Sequence, residues 1–280
     1  ETIIDAGQVV AGNVQFSLTA PAGRTITLEH SEVLDEQGNF FHNILGTNKE
    51  QTVTYITKEG FQTYRPTFSY HGFRYIRVTG WPGRLSPNDF VICTYTSGMD
   101  DIGGFTASDR RLNRLQQNIW WSQAANTISI PTDCPQREKA GWTGDIMAYA
   151  PTLCFNRDAG AFLTSWLRDL RADQLEDGAV PDVVPNLIAY QKFLTASFGS
   201  QTSCGWGDAV LTVPWAVYEA YGDRRVLEEN YGAMRKWLSY IQSRCEESHP
   251  EGYVNWPAER KARSRYLWYT DFHFGDWLIP

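Results

Sequence analysis

Up to about residue 97 the chain alternates apolar and polar positions with a period of two, in runs rich in β-branched and aromatic residues. Gly23–Glu29, Thr52–Thr57, Phe73–Thr79 and Phe90–Thr96 predict strands, and the chain is strand-like from its first residues. Turn signals separate the runs at Asp35-Glu-Gln-Gly38, Lys58-Glu-Gly60, Trp81-Pro-Gly83 and Ser86-Pro-Asn-Asp89. Short strands with regular turns predict a β-sandwich over residues 1–97. His30, His42 and His71 are the residues here that invite a chemical reading, and a single His near a strand is expected to be a hydrogen-bonded structural group.

Ser97-Gly-Met-Asp-Asp-Ile-Gly-Gly104 reads as a boundary, with 98–104 as the linker, and from Ser108 the period becomes helical. Leu112, Leu115 and Ile119 fall at i, i+3, i+7, and Leu163, Trp166, Leu167 and Leu170 at i, i+3, i+4, i+7. The cleanest stripe is Leu227, Tyr231, Met234, Leu238 and Ile241, behind an N-cap expected at Asp223, and it predicts a core-facing helix side. Arg157-Asp158 and Arg168-Asp169 read as exposed helix charges. Helices joined by Gly-, Pro-, Trp- and Asp-rich loops continue to the end. Periodicity establishes a helical region over 105–280 and nothing finer.

Composition narrows the function classes. A net charge of −7 and a pI near 5.3, with no clustered Lys and Arg, argue against nucleic acid as partner. No run approaches the eighteen or so apolar residues of a membrane helix. The five cysteines at 93, 134, 154, 204 and 245 have no metal-ligand spacing and read as free thiols, so no structural metal and no cofactor are expected. No signal peptide is visible, and both ends read as cuts through a longer protein.

The chemistry concentrates in Asp133-Cys-Pro-Gln-Arg-Glu138-Lys-Ala-Gly-Trp142-Thr-Gly-Asp145. Three carboxylates, an Arg and a Trp stand here around two glycines and a proline. A sugar hydrolase needs a carboxylic acid to protonate the leaving oxygen, further carboxylates for hydroxyls, and an aromatic face for the ring's C–H groups. The plainer reading is an acidic, solvated turn ahead of a helix, and composition alone leaves both open.

With Leu112-Asn-Arg-Leu115, Asn118, Trp121-Ser-Gln and Ile130-Pro-Thr before it, this segment resembles the catalytic-domain entrance of the bacterial alpha-L-rhamnosidases. The resemblance continues through Phe162 to Gln174, Asp177-Gly-Ala-Val-Pro-Asp-Val-Val-Pro185, Gly205-Trp-Gly-Asp208 and Phe274-Gly-Asp-Trp277. Upstream it reaches Tyr70-His-Gly-Phe-Arg-Tyr-Ile-Arg-Val-Thr-Gly80. It covers most of the chain. It implies an N-terminal β-sandwich followed by part of an (α/α)6 toroid barrel, whose remainder is absent, and an inverting hydrolysis of terminal alpha-L-rhamnosides.

On this resemblance Glu138 is the general acid, and Asp133, Arg137, Trp142 and Asp145 hold the rhamnose. A donor working near neutral pH needs a raised pKa, which neighbouring carboxylates and an apolar Trp face favour. Arg137, as an adjacent residue, is expected to point away from Glu138. The base is implied to be a Glu beyond this chain, and Lys139 stands where many relatives carry an acidic residue. Asp182, Trp206 and Asp208, and beyond them Asp276 and Trp277, sit in loops of the type that border a cleft, where substrate contact and loop packing are both open. The implied partner is a rhamnose-containing glycoside or polysaccharide, with no nucleic acid and no membrane. Self-association into a homo-oligomer is left open, as are the bacterial cytoplasm and the periplasm or exterior. A non-catalytic carbohydrate-binding protein and another toroid hydrolase or lyase are the rival readings.

Overall fold

The computed structural model describes residues 2–42, 51–247, 249–269, 271–275 and 277. The chain divides into two compact units: Glu1–Gly98 with Phe105–Lys139, and Met99–Gly104 with Ala140–Pro280.

The first unit is built on six strands: β1 (Thr2–Ala20), β2 (Thr25–Ser31), β3 (Thr52–Ile56), β4 (Gly60–Tyr64), β5 (His71–Thr79) and β6 (Phe90–Thr94). All neighbours are antiparallel, in the order β3-β2-β5-β1-β4, with β6 also on β1. β1 is long enough to serve both halves. Thr2–Gly12 pairs with β5, while Gly12–Phe16 pairs with β6 and Phe16–Ala20 with β4. Alternate residues of β1, Val14, Phe16, Leu18 and Ala20, therefore point into one core with Ile26, Leu28, Phe73, Ile76 and Val78. Val53, Tyr55, Tyr64, Phe90 and Ile92 pack on the same core from the other strands. The expected sandwich interior is thus enclosed by a continuous sheet that folds over on itself.

Helix α1 (Arg110–Ala125) belongs to this unit and is capped by Asp109, whose carboxylate accepts from the Arg111 N–H. Trp121 packs on the sheet core, but Leu112 and Leu115 are exposed, so the stripe predicted for this helix is not its buried face. The helix buries Gln123, Ala124 and Ala125 instead. A two-strand ribbon, β7 (Thr127–Ile128) and β8 (Ile130–Pro131), then delivers the chain to Asp133.

The second unit contains α2 (Thr143–Asn156), α3 (Gly160–Asp173), α4 (Ile188–Phe198), α5 (Ala209–Tyr221), α6 (Arg224–Glu247) and α7 (Ala258–Ser264). α5 packs against α2, α3 and α6. Leu163, Trp166, Leu167 and Leu170 are all buried, as their spacing predicts, and the Trp166 indole donates to the Val184 carbonyl at 3.1 Å. Asp223 caps α6 through the Arg225 N–H.

The buried stripe of α6 differs from the predicted one by a single position. Val226, Asn230, Ala233 and Trp237 face the core, while Tyr231 is 61% and Leu238 52% exposed. Asn230 is tolerated inside because its amide donates to the Val226 carbonyl and accepts from Arg171. The neighbouring apolar stripe lines an open groove of about 670 Å³, where Leu227, Tyr231 and Met234 meet Met147, Leu211 and Trp215.

The segment expected to be a linker is held along 156–158. Arg157, expected to be exposed, is buried; it pairs with Asp101 at 3.0 Å and donates to the Met99 carbonyl, while Asp158 N–H donates to Asp100. Arg168 and Asp169 are exposed as expected. Among the described residues no helix is long and apolar enough to cross a membrane.

Candidate active site

The predicted site residues are carried by both units. Asp133, Arg137 and Glu138 lie in the first, all half-buried, on a loop that turns through 135–138 after β8. Three features set that loop on the strands. Gln51, fully buried, donates from Nε2 to the Gln136 carbonyl at 2.9 Å. A Cβ on Gly72 would lie 2.9 Å from the Gln136 nitrogen and the Pro135 carbonyl carbon, so only glycine lets the loop backbone approach this closely. Lys139 donates to the Tyr70 carbonyl at 2.6 Å, and its ammonium stands 4.3 Å from the Tyr70 ring centroid.

Arg137 does not point away from Glu138. Its Nη2 lies 2.8 Å and its Nε 3.1 Å from Glu138 Oε1. Neighbouring side chains diverge in a strand, but residues 135–138 form turns, where alternation is lost and a long guanidinium reaches the adjacent carboxylate. For Glu138 to give a proton to a leaving group, this contact has to be released or shared with substrate.

Ligand atoms of Asp133, Cys134 and Glu138 all lie within 4.8 Å of one another. The spacing suits a cation, but burial, reinforced by Asp133, pushes the Cys134 thiol up, and a protonated thiol is a poor ligand. Glu138 N–H donates to Cys134 Sγ at 3.2 Å, which makes the trio a hydrogen-bonded cluster. An inverting acid–base pair needs about 6.5–9.5 Å between its carboxyl groups to admit a water, a wider spacing than that between the ligand atoms of Asp133 and Glu138.

The second unit carries Trp142, Asp145, Asp182, Trp206, Asp208 and Trp277. Trp142 opens α2, and Asp145 is exposed in its first turn. Trp142 is bridged to Val183, with Thr143 N–H donating to the Asp182 carbonyl and Val184 N–H to that of Gly141. The Trp142 ring meets Tyr190 and Phe274 edge-on, with centroids 6.1 and 5.6 Å away.

Phe274 also packs on Trp206 and Phe198, and Trp277, half exposed, stands perpendicular to it at 5.2 Å. Tyr190 and Phe274 were not singled out from sequence. The signal for Phe274 was its place in Phe-Gly-Asp-Trp, next to the Trp that was.

Asp182 and Asp208 are both engaged by side chains of this unit. Asp182 is 2% exposed and accepts from the Ser203 hydroxyl at 2.8 Å; burial pushes its pKa up to about 7 despite that bond. Asp208 accepts from the Trp237 indole at 2.8 Å. Asp276 lies outside the described residues.

This arrangement can be set beside known proteins. The family model for the bacterial alpha-L-rhamnosidase 6 hairpin glycosidase domain matches residues 100–280, and that for the bacterial alpha-L-rhamnosidase concanavalin-like domain matches residues 1–95. The chain belongs to the bacterial alpha-L-rhamnosidase family. One relative, the alpha-L-rhamnosidase of Streptomyces avermitilis, is 38% identical over 99% of this chain. Another, from Formosa agariphila, is 33% identical over 91%. The chain spans about a quarter of the length of the curated relatives it matches, 24% and 27% of these two. The Streptomyces avermitilis alpha-L-rhamnosidase solved with L-rhamnose aligns over 99% of this chain and 24% of its own, with a TM-score of 0.80. The rhamnosidase fold expected from sequence, strands followed by part of a helical barrel, is therefore the fold observed.

Proposed function

We propose that this chain supplies the general acid and part of the sugar pocket of an inverting alpha-L-rhamnosidase, with the water-activating base outside residues 1–280. The observation that carries the reading is the half-buried Glu138, held by Arg137 at 2.8 Å in a loop that belongs to a family of rhamnosidases. Glu138 protonates the glycosidic oxygen as the bond to the anomeric carbon breaks, and an inverting enzyme then needs water delivered from the opposite face. Arg137 is placed to exchange its contact with Glu138 for a sugar hydroxyl.

Asp133 and Asp145 are proposed to accept hydrogen bonds from hydroxyls, and Trp142 to stack on the sugar's apolar face. Trp206 and Trp277, grouped with Trp142 around Phe274, extend that aromatic wall. The protein partners of Asp182 and Asp208 favour roles in holding the loops. On this reading the chain is two modules in sequence, the strands of 1–97 and the helices of 105–280 joined by 98–104, although 105–139 packs with the strands and 99–104 with the later helices.

Glu138→Gln in the full-length enzyme tests the assignment, because an amide cannot protonate the leaving oxygen. Hydrolysis of a rhamnosyl sugar is expected to fall by about 10² to 10⁴, and that of an activated aryl rhamnoside by less. Retention of full activity on both substrates sinks the assignment. Binding of rhamnose without turnover by the unaltered full-length protein would instead support a carbohydrate-binding module.

A further inference from the structure

We propose that Gln51 and Lys139 are positioning residues for Glu138, one fixing the backbone before the acid and the other the backbone after it. The inference rests on the reading of Glu138 as general acid. Gln51 immediately precedes β3, and its carbonyl accepts from both the His30 N–H, at 2.8 Å, and the His30 ring nitrogen Nδ1, at 2.9 Å. With its main chain tied in this way to β2, its side chain presents Nε2 to the Gln136 carbonyl. On the other side of Glu138, Lys139 holds φ +55°, in the left-handed region that a residue with a Cβ avoids unless its surroundings impose it. In that conformation its Nζ donates to the Tyr70 carbonyl and its ammonium stands against the Tyr70 ring, which ties the residue after Glu138 to the start of β5.

Glu138 is therefore bracketed. Its side chain meets Arg137 within the loop, and the backbone on both sides is tied to groups at the starts of β3 and β5. A shift of about 1 Å in such a group is enough to cost on the order of 10² in rate when proton transfer requires alignment. This assigns the strand-built unit a part in catalysis, through placement of the acid.

The test uses the full-length enzyme carrying Gln51→Met or Lys139→Met, which keep an unbranched side chain out to the atom before or at the donor and remove the donor itself, and Lys139→Arg, which restores a cationic donor. kcat/KM is measured on a nitrophenyl rhamnoside, whose leaving group needs little protonation, and on an unactivated rhamnosyl sugar. Each Met variant is expected to lose about 10- to 100-fold on the sugar and no more than about 3-fold on the aryl substrate, with Lys139→Arg recovering most of the loss.

Equal losses on both substrates, as a smaller folded fraction would give, or no loss on either, overturn the proposal. If Gln51→Met does not fold, the Lys139 pair decides, since Lys139 is only half-buried. Glu138→Gln assayed in parallel separates the two ideas. If it shows the substrate split and the Met variants do not, positioning alone fails; if it shows no split, the general-acid reading falls and takes positioning with it.

Discussion

The strand unit has an acid-sensitive point at His30 and His71. The two rings are buried and stacked, with centroids 4.3 Å apart and planes 14° from parallel. Burial depresses both pKa values from 6.5, to about 4 for His30, where the bond to Gln51 works in the opposite sense, and to about 3 for His71, where His30 and the Lys139 ammonium add to the effect. Since the unfolded chain binds these protons more tightly than the folded one, stability falls as the pH drops below the unfolded value. Between about pH 6.5 and about pH 5.0 the extra proton taken up by each ring on unfolding rises from about half to nearly one, worth roughly 1.5 kcal/mol per ring over the interval.

The perturbation that isolates this is His71→Phe, which keeps a flat ring on His30 and cannot titrate. Neither ring nitrogen of His71 has a hydrogen-bond partner among the described residues, so an apolar ring forfeits little. The wild-type profile alone is not diagnostic, because Asp182 in the other unit acts in the opposite direction. The difference between variant and wild type is. Urea unfolding at about pH 6.5 and about pH 5.0 is expected to show His71→Phe gaining roughly 1.5 kcal/mol on wild type across the interval. A difference independent of pH would refute the argument, since it would mean that the His71 ring titrates in the folded chain as it does in the unfolded one.

Other outcomes follow from the same geometry. Asp182, held up at about 7 by burial, gives stability that is complete below its unfolded value of 3.8 and lost as the pH rises through about 7; Asp182→Asn should flatten that dependence and raise the melting temperature above pH 8, by roughly 2–4 kcal/mol of stability. Trp142→Ala in the full-length enzyme should raise KM more than it lowers kcat, because stacking acts on ground and transition states alike; a steep fall in kcat at constant KM would contradict a stacking role. Gly144→Ala places a Cβ 2.3 Å from the Trp206 ring, so Trp206 must leave its place against Phe274, costing roughly 1–3 kcal/mol by thermal melting and changing the near-UV circular dichroism.

What the sequence made legible depended on how many faces of an element are apolar. α3 has one apolar face, so its spacing identified the buried residues Leu163, Trp166, Leu167 and Leu170 directly. α6 has two, one position apart. The more continuous stripe, Leu227 to Ile241, lines the groove or faces solvent, and the buried one was disguised by Asn230, whose polarity is satisfied by Val226 and Arg171. Strands β2, β3, β5 and β6 were legible from alternation. β4, whose Gln62 is buried and bonded to Lys58, Gly60 and Tyr55, was not, because its inward residue is polar.

The same distinction runs through the site. Asp133, Arg137 and Glu138 stood out because reactive types crowd into a few positions, and crowding is a property of sequence. Orientation is not, and so the Arg137 contact with Glu138 went against expectation: it depends on turn geometry at 135–138 that no side-chain pattern encodes. Gln51 was harder still to see, since an amide ahead of a strand has nothing to mark it until Gln136, 85 positions on, is found against it. The residues that do chemistry are therefore named by their type, and those that hold them are named only by contact. A substitution at the second kind alters where a proton is delivered without altering which group delivers it, and comparison of leaving groups separates these two where a single activity measurement does not.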